Sequence, residues 1–188
     1  MALSHRTRRR IADFDQRVDA AFDKLRGNPV ADRVFYGASE LGDHSLIWLL
    51  LGAARGARSE HDWHAAVRVG TVLAAESALV NVGIKSLFRR TRPVHEGARP
   101  LRLRRPRTSS FPSGHATSAF CAAVLLSEDD PLAPLYYGAA AIVAASRVYV
   151  KIHHASDVAA GIPIGLAIGW VGRKLLPLPV RPGPVHTS

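Results

Sequence analysis

The residues that could support chemistry fall into three short clusters along the chain. They are Lys85 with Arg92-Pro93, then Phe111-Pro112-Ser113-Gly114-His115, and then Ser146-Arg147 with His153 and Asp157. In the third cluster His153 and Asp157 are four residues apart, so on a helix they would share one face. A carboxylate placed there can hold one imidazole nitrogen and leave the other basic, as in the base of a catalytic triad. A surface His–Asp pair without chemical function would have the same spacing.

The other two clusters supply groups that can bind an anion. Ser113 and Gly114 would open a helix, where backbone N–H groups lack partners within the helix and the helix dipole favours negative charge. His115 would stand beside such an anion and could donate a proton, while Lys85 and Arg92 are cations at the end of an apolar segment. The alternatives are an ordinary serine cap and the basic flank that often follows an apolar helix.

The elements between the clusters decide whether the clusters meet. Five apolar segments rich in Ala, Leu and Gly are too long for strands and show no alternation, so we expect five helices. They cover roughly residues 41–54, 67–87, 114–127, 131–150 and 158–171. Because the third helix would lead away from the first two clusters and the fourth would return, all three clusters should lie at one end of a bundle. Phosphoryl transfer needs such a set of cations, nucleophile and acid.

Hydropathy favours a polytopic membrane protein, although no single segment is decisive. None has 18 consecutive apolar residues without a charge, and Glu76 and Arg147 interrupt two of them. Five such segments in succession, separated by short polar or basic links, are nevertheless typical of a membrane bundle. Ahead of them we expect a basic disordered arm over residues 1–10 and an amphipathic helical region over residues 11–40, placed on the membrane surface or against the bundle.

Charge and cysteine content narrow the possible partners. The 188 residues carry a formal charge of +10, which suggests a lipid headgroup, a phosphate substrate or a nucleic acid. The basic residues lack aromatic interleaving and no binding-module motif is present, so we expect no nucleic-acid partner. Cys121 is the single cysteine, which excludes an intrachain disulfide and a cysteine-based zinc site. His115, His153, His154 and Asp157 could ligate a metal, but the surrounding cations would repel it.

In order and spacing, the three clusters resemble the signature of the type 2 phosphatidic acid phosphatase (PAP2) superfamily. The resemblance extends through FPSGHATSAF and SRVYVKIHHASDVAAG and covers roughly residues 67–171. It implies an all-α membrane bundle of about five to six helices within residues 41–176, followed by a Pro-rich tail over residues 177–188. It also implies a phosphohistidine on His153, oriented by Asp157, with His115 protonating the leaving oxygen. The residues implied to bind phosphate are Lys85, Arg92, Ser113, Gly114 and Arg147, without any metal or cofactor.

The resemblance predicts a metal-independent phosphatase that acts on a phosphorylated membrane lipid. The substrate could be polyprenyl-linked, such as decaprenyl-phosphoryl-phosphoribose or undecaprenyl diphosphate, or of the phosphatidate type. The alternatives are a soluble acid phosphatase or haloperoxidase, a metal-dependent hydrolase and a basic nucleic-acid-binding protein. We expect a multi-pass protein of a bacterial cell membrane. Five spans and the positive-inside rule would put the active site on the cytoplasmic face, and a sixth span would reverse it.

Overall fold

The computed structural model describes residues 4–95, 100, 103 and 108–180, and the described residues form α-helices and no β-strand. The helices are α1 (His5–Asp23), α2 (Pro29–Leu41), α3 (Leu46–Gly56), α4 (Glu60–Ala78), α5 (Gly114–Leu126), α6 (Ala133–Tyr149) and α7 (Ala155–Leu175). The prediction of an all-α bundle is confirmed, with α2 as an additional helix inside the region expected to be amphipathic. Residues 181–188 of the expected tail and most of the Arg-rich loop over residues 96–107 lie outside the described part.

Helix α1 begins earlier than the sequence analysis predicted. Ser4 caps it, because the Ser4 side chain accepts a hydrogen bond from the backbone N–H of Thr7 at 3.2 Å. The interpretation of residues 1–10 as a disordered arm is therefore wrong for its described residues, and the arginines there are helical. Gly27, with φ of +85°, separates α1 from α2, and the side chain of Asn28 then caps α2.

Helices α3 to α7 cross the bundle in alternating directions. Short links join α3 to α4, α5 to α6 and α6 to α7, and helices joined in this way run antiparallel. The ends of α4 and α6 therefore lie at the same end of the bundle as the starts of α5 and α7. Helices α1 and α2 also belong to this end, since Phe35 of α2 stacks on Tyr149 at the end of α6 with ring centroids 4.4 Å apart.

Helices α5 and α7 pack closely along a stripe of buried glycines. On α7, Gly161, Gly165 and Gly169 face α5, whereas Gly172 lies nearest to Val72 of α4. A Cβ atom at Gly165 would lie only 2.2 Å from the carbonyl oxygen of Thr117, so no larger residue fits there without moving backbone. Small residues at this spacing permit close helix packing in membranes. At the end of this interface, the Ser113 N–H donates to the Asp157 carbonyl at 3.1 Å.

Buried ion pairs close the opposite end of the bundle. Arg55 donates to Asp62 at 2.9 Å, to the carbonyl of Leu126 at 2.7 Å and to the carbonyl of Glu128 at 2.8 Å. Arg68 forms an ion pair of 2.6 Å with the Glu128 carboxylate. Because these arginines satisfy carbonyl groups at the end of α5, they fix the far ends of α3, α4 and α5 together.

The outer surface of the bundle is strongly apolar. Two helical segments, Glu60–Leu87 and Ala155–Leu175, are long and apolar enough to cross a membrane, and Gly114–Leu126 is a shorter apolar helix. Large side chains that face outward and are exposed include Leu49, Leu50, Trp63, Val67, Leu79, Val82, Leu135, Ile142, Trp170 and Val171. An apolar surface of this extent matches the hydrocarbon of a bilayer better than water.

Candidate active site

The link between α6 and α7 holds His153 in a fixed position. The backbone N–H groups of Ile152 and His153 both donate to the carbonyl of Arg147, at 3.1 and 3.0 Å. Lys151 adopts a left-handed conformation with φ of +51°, which turns the chain back toward the bundle. The His153 side chain is consequently buried, with only 3% of its surface exposed.

The contacts of His153 determine which of its nitrogens carries the proton. Arg92 Nη1 lies 3.1 Å from His153 Nε2, and a guanidinium group can only donate hydrogen bonds. His153 Nε2 is therefore the acceptor, and the proton of the neutral ring is on Nδ1. Nδ1 in turn faces Asp157, 3.6 Å from its Oδ2 atom. The nitrogen with the free electron pair is thus the one that points to the cation.

Electrostatics keep His153 neutral. Burial lowers its pKa to about 3, and the charges of Arg147 and Arg92 act in the same direction, although Asp157 opposes them. An imidazole with this pKa is uncharged throughout the physiological range. It could therefore attack an electrophilic phosphorus atom without first losing a proton.

Asp157 is fully buried in the first turn of α7. Its Oδ2 atom accepts a hydrogen bond from the backbone N–H of His154 at 2.9 Å, and its Oδ1 atom accepts one from Arg90 Nη1 at 2.6 Å. The carboxylate also benefits from the positive end of the helix dipole. Asp157 is thus held from two sides while its Oδ2 atom still faces His153.

The start of α5 and the end of α4 form the second part of the site. Ser113 caps α5 and is completely buried. A Cβ atom at Gly114 would be 3.3 Å from Lys85 Nζ, so the absent side chain leaves room beside the ammonium group. Lys85 Nζ also donates to Asn81 Oδ1 at 2.8 Å. Asn81 and Lys85 follow the last α-helical turn of α4, where the chain becomes π-helical over Leu79–Gly83 and 3₁₀-helical over Ile84–Leu87. Such departures from α-helical geometry are frequent at functional sites.

His115 makes its main polar contact with a residue that the sequence analysis did not single out. Its Nε2 atom lies 3.0 Å from Oδ1 of Asp43. Asp43 belongs to the kink between α2 and α3, where His44 and Ser45 have φ of +53° and +60°. Burial would raise the pKa of Asp43, but the contact with His115 and the charge of Arg147 outweigh it and hold the pKa below its usual value. His115 is therefore paired with a carboxylate that stays ionised.

Arg147 is almost completely buried, with 1% of its surface exposed. Its Nη1 atom donates to the hydroxyl of Ser39 in α2. The backbone carbonyl of Arg147 also accepts the two hydrogen bonds that shape the link before α7. Arg147 therefore holds His153 in place through its backbone and binds α2 through its side chain.

The structure brings the predicted residues to one end of the bundle. Arg92, His153 and Asp157 are in contact, and Lys85 adjoins Gly114, as the distances above show. Three residues that the sequence spacing did not mark contact the predicted ones, namely Asp43, Ser39 and Asn81. Arg90, a further cation beside Arg92, contacts Asp157, and Asp15 contacts Arg90 in turn. Nothing in the spacing of the N-terminal region marks the two acids. Within the described residues, no group of three or more His, Cys, Asp or Glu side chains could hold a metal ion.

Comparison with known proteins gives consistent matches. The sequence model of the PAP2 superfamily matches residues 65–178. A decaprenylphosphoryl-5-phosphoribose phosphatase of Mycobacterium tuberculosis (strain CDC 1551 / Oshkosh) is 38% identical over 138 residues, which are 72% of this chain and 75% of that protein. The protein of the same name from Mycolicibacterium smegmatis is 36% identical over 141 residues, covering 73% of this chain and 74% of that protein.

Two solved structures share the fold. One is a transmembrane PAP2 type phosphatidylglycerolphosphate phosphatase from Bacillus subtilis, with a TM-score of 0.67, 23% identity and coverage of 88% of this chain and 85% of that chain. The other is Aquifex aeolicus LpxE, with a TM-score of 0.67, 25% identity and coverage of 85% of this chain and 94% of that chain. The sequence and structural matches agree with the resemblance of the three clusters.

Proposed function

This chain belongs to the PAP2 superfamily, and from that membership we infer that it is a lipid phosphatase that releases phosphate from a phosphorylated membrane lipid. The observation that carries this inference is the 3.1 Å contact between Arg92 Nη1 and His153 Nε2. It places the free electron pair of a neutral imidazole directly beside a cation that can hold a phosphate oxygen.

In the proposed reaction, His153 Nε2 attacks the phosphorus atom of the substrate. A bond forms between nitrogen and phosphorus as the bond from phosphorus to the lipid oxygen breaks, and His115 gives its proton to that oxygen. A water molecule then attacks the phosphorus atom of the phosphohistidine and gives one proton to His115, while the bond from phosphorus to His153 Nε2 breaks and inorganic phosphate leaves. The phosphate oxygens would be bound by Lys85, Arg92 and Arg147 and by the start of α5 at Ser113 and Gly114.

Asp157 would stabilise the positive charge that the ring of His153 acquires on attack. When Nε2 binds phosphorus, the proton on Nδ1 remains and the ring becomes cationic, so a carboxylate 3.6 Å away lowers the energy of that state. Asp43 would have the matching role for His115, because its carboxylate opposes burial and the charge of Arg147, both of which disfavour the protonated imidazole that acts as the acid.

For the substrate we propose a polyprenyl-phosphoryl pentose phosphate of the decaprenylphosphoryl-5-phosphoribose type. Two relatives that bear this name align over almost three quarters of this chain. In such a substrate the reacting phosphate is a monoester on the sugar, and the apolar chain stays in the membrane. Undecaprenyl diphosphate and phosphatidate-type lipids are the other substrates to be compared.

Phosphate release across a substrate panel tests this proposal. The purified protein in detergent would be given decaprenylphosphoryl-5-phosphoribose, undecaprenyl diphosphate, phosphatidate, phosphatidylglycerol phosphate and a soluble sugar phosphate, with and without EDTA. We expect the highest kcat/KM with the first and no effect of EDTA. A preference for the soluble sugar phosphate would contradict a lipid phosphatase, and activity that EDTA removes and a divalent metal restores would contradict the phosphohistidine mechanism.

We also propose that the protein crosses a cell membrane five times, with its N-terminus and active site on one side. Cysteine labelling tests the arrangement, using Cys121→Ala with single cysteines at Ser4, Val94 or Asp129. In intact cells, a membrane-impermeant thiol reagent should label either both Ser4→Cys and Val94→Cys or neither of them. Asp129→Cys should give the opposite result. Different labelling of the Ser4 and Val94 positions would indicate a sixth crossing.

A further inference from the structure

We propose that Asp15 of the amphipathic helix α1 is a positioning residue for phosphoryl transfer, acting through Arg90 on Asp157. The inference rests on the proposed function, because it assigns α1 a role in the same reaction. It also lies outside the three sequence clusters and outside the region matched by the family, which begins at residue 65.

The contacts form a continuous chain from α1 to the nucleophile. Asp15 is buried, and its Oδ2 atom accepts hydrogen bonds from Arg90 Nη2 at 2.6 Å and from the Ser156 hydroxyl at 2.9 Å. Arg90 Nη1 then donates to Asp157 Oδ1 at 2.6 Å, and Asp157 Oδ2 faces His153 Nδ1. One guanidinium group thus links two carboxylates from different parts of the chain.

Asp15 also contacts the backbone of the catalytic segment. Its Oδ1 atom accepts a hydrogen bond from the N–H of Ser156 at 2.8 Å, which is one of the N–H groups without a partner inside α7. Helix α1 is fixed nearby by Arg26, which donates to the carbonyls of Tyr149 and Val148 at 2.8 and 3.0 Å. The position of the Asp15 carboxylate is therefore set by the body of the protein.

The division of Arg90 between two carboxylates explains why Asp15 matters for catalysis. Arginine prefers to bind one carboxylate through both of its oxygens. With Asp15 present, Nη2 of Arg90 is occupied and only Nη1 reaches Asp157, so Asp157 Oδ2 stays clear of Arg90 and faces His153 beside the His154 N–H. Without the charge of Asp15, Arg90 can turn toward both oxygens of Asp157 and compete with His153 for the carboxylate.

Asp15 is not expected to bind the substrate. A carboxylate would repel a phosphate, and the polar contacts of Asp15 described above are with Arg90 and Ser156. Loss of its charge should therefore change the rate of the chemical step and leave the affinity for phosphate groups nearly unchanged. This separates a positioning role from a binding role in a kinetic measurement.

The test compares Asp15→Asn with Asp13→Asn in the full-length protein in detergent. Asp13 lies on the same helix, is exposed, and its replacement removes the same charge. Turnover of an activated aryl phosphate and of the best lipid from the panel would be measured per folded molecule, with inhibition by inorganic phosphate and by vanadate. Vanadate mimics the transferring phosphoryl group on the nucleophile, so its affinity reports the orientation of His153.

We expect Asp15→Asn to lower kcat about tenfold, as loss of an outer residue that orients a catalytic group commonly does. Its KM and its inhibition constant for phosphate should stay within about twofold of wild type, while that for vanadate rises about tenfold. Asp13→Asn should resemble wild type. If Asp15→Asn does not fold, Arg90→Lys replaces it, because a lysine cannot bridge the two carboxylates in this way. We expect the same result, with kcat and the affinity for vanadate lowered and KM and the affinity for phosphate nearly unchanged.

Three results would overturn the proposal. The kinetics of Asp15→Asn could equal those of Asp13→Asn, its KM could rise with kcat unchanged, or the only loss could be in the folded fraction. In each of these cases the wild-type enzyme still releases phosphate, so the proposed function stands. A wild-type protein that releases no phosphate from the aryl or lipid substrates would instead refute the proposed function and this inference with it.

Discussion

Replacement of Gly161 by alanine tests how closely α5 and α7 must approach for catalysis. A Cβ atom at Gly161 would lie 2.8 Å from the carbonyl oxygen of Ser113, 3.1 Å from Ala116 Cβ and 3.2 Å from Thr117 Oγ1. Gly161 follows Asp157 by one helical turn, and Ser113 caps the helix that is proposed to bind phosphate. The added methyl group should therefore push the phosphate-binding turn away from the nucleophile and its carboxylate.

The size of the effect follows from these distances. Ordinary contacts need about 3.5 Å, so the two helices must separate by about 0.7 Å near Ser113. Because a displacement of about 1 Å in a catalytic site can cost about a hundredfold in rate, we expect kcat of Gly161→Ala to fall about ten- to thirtyfold. The helix gains about 0.5–1 kcal/mol from alanine, and overpacking costs about 1–3 kcal/mol. The net loss of stability should thus be about 0–2.5 kcal/mol, of the same order as the roughly 1.4 kcal/mol that a tenfold loss of rate represents.

Two matched variants separate the contributions. No atom lies within 4 Å of a Cβ added at Gly70, so Gly70→Ala should keep wild-type activity and be slightly more stable. At Gly165 the added atom would meet a backbone oxygen at 2.2 Å, so Gly165→Ala should lose mainly stability. Aryl phosphate turnover and thermal unfolding in the same detergent would be measured for each. The reasoning is refuted if Gly161→Ala retains wild-type kcat or gains as much stability as Gly70→Ala.

Three further predictions concern the histidines. His153→Ala should lose more than about a thousandfold in phosphate release per folded molecule. His154→Ala should keep most of this activity, because the His154 ring contacts the Thr91 carbonyl at 3.2 Å rather than the catalytic groups. The reverse result would show that the nucleophile is misassigned. His115→Ala should slow lipid substrates far more than an activated aryl phosphate, whose leaving group needs no proton; equal losses would argue against an acid role. The free energy of unfolding should fall as the pH decreases from about 6.5 toward 3. Burial lowers the pKa of His153 to about 3 from the ordinary 6.5, so in this range the unfolded chain binds a proton that the folded chain does not. The free energy of unfolding should change by at most about 1.4 kcal/mol per pH unit, and thermal unfolding of His153→Gln should depend less on pH.

Sequence spacing predicted the parts of the site that depend on local geometry. The interval from His153 to Asp157 does bring the two together, but His153 precedes the N-cap of α7, so they meet across the start of the helix and not along one helical face as expected. The antiparallel order of the apolar helices, which follows from their succession along the chain and from short connections, brings Lys85 and Gly114 together.

The contacts from the N-terminal region could not be predicted in this way. Asp43 reaches His115 because the chain kinks at His44 and Ser45, two residues that seldom adopt positive φ. Asp15 reaches Arg90 across a long stretch of chain, and an acid on an amphipathic helix usually faces solvent. Both contacts depend on how α1 and α2 dock on the bundle, which is decided by tertiary packing rather than by local sequence.

The lengths of α5 and α7 have a consequence for the depth of the site. Both helices start at the same level, because the Ser113 N–H donates to the Asp157 carbonyl at 3.1 Å. The 13 residues of α5 span about 20 Å and are mostly buried, whereas the 21 residues of α7 span about 32 Å. The hydrocarbon core of a bilayer is about 30 Å thick, so α7 can cross it completely while α5 ends short of the far surface. The starts of both helices would then lie at the level of the lipid phosphates, where a substrate could react with His153 while its chain remains in the leaflet.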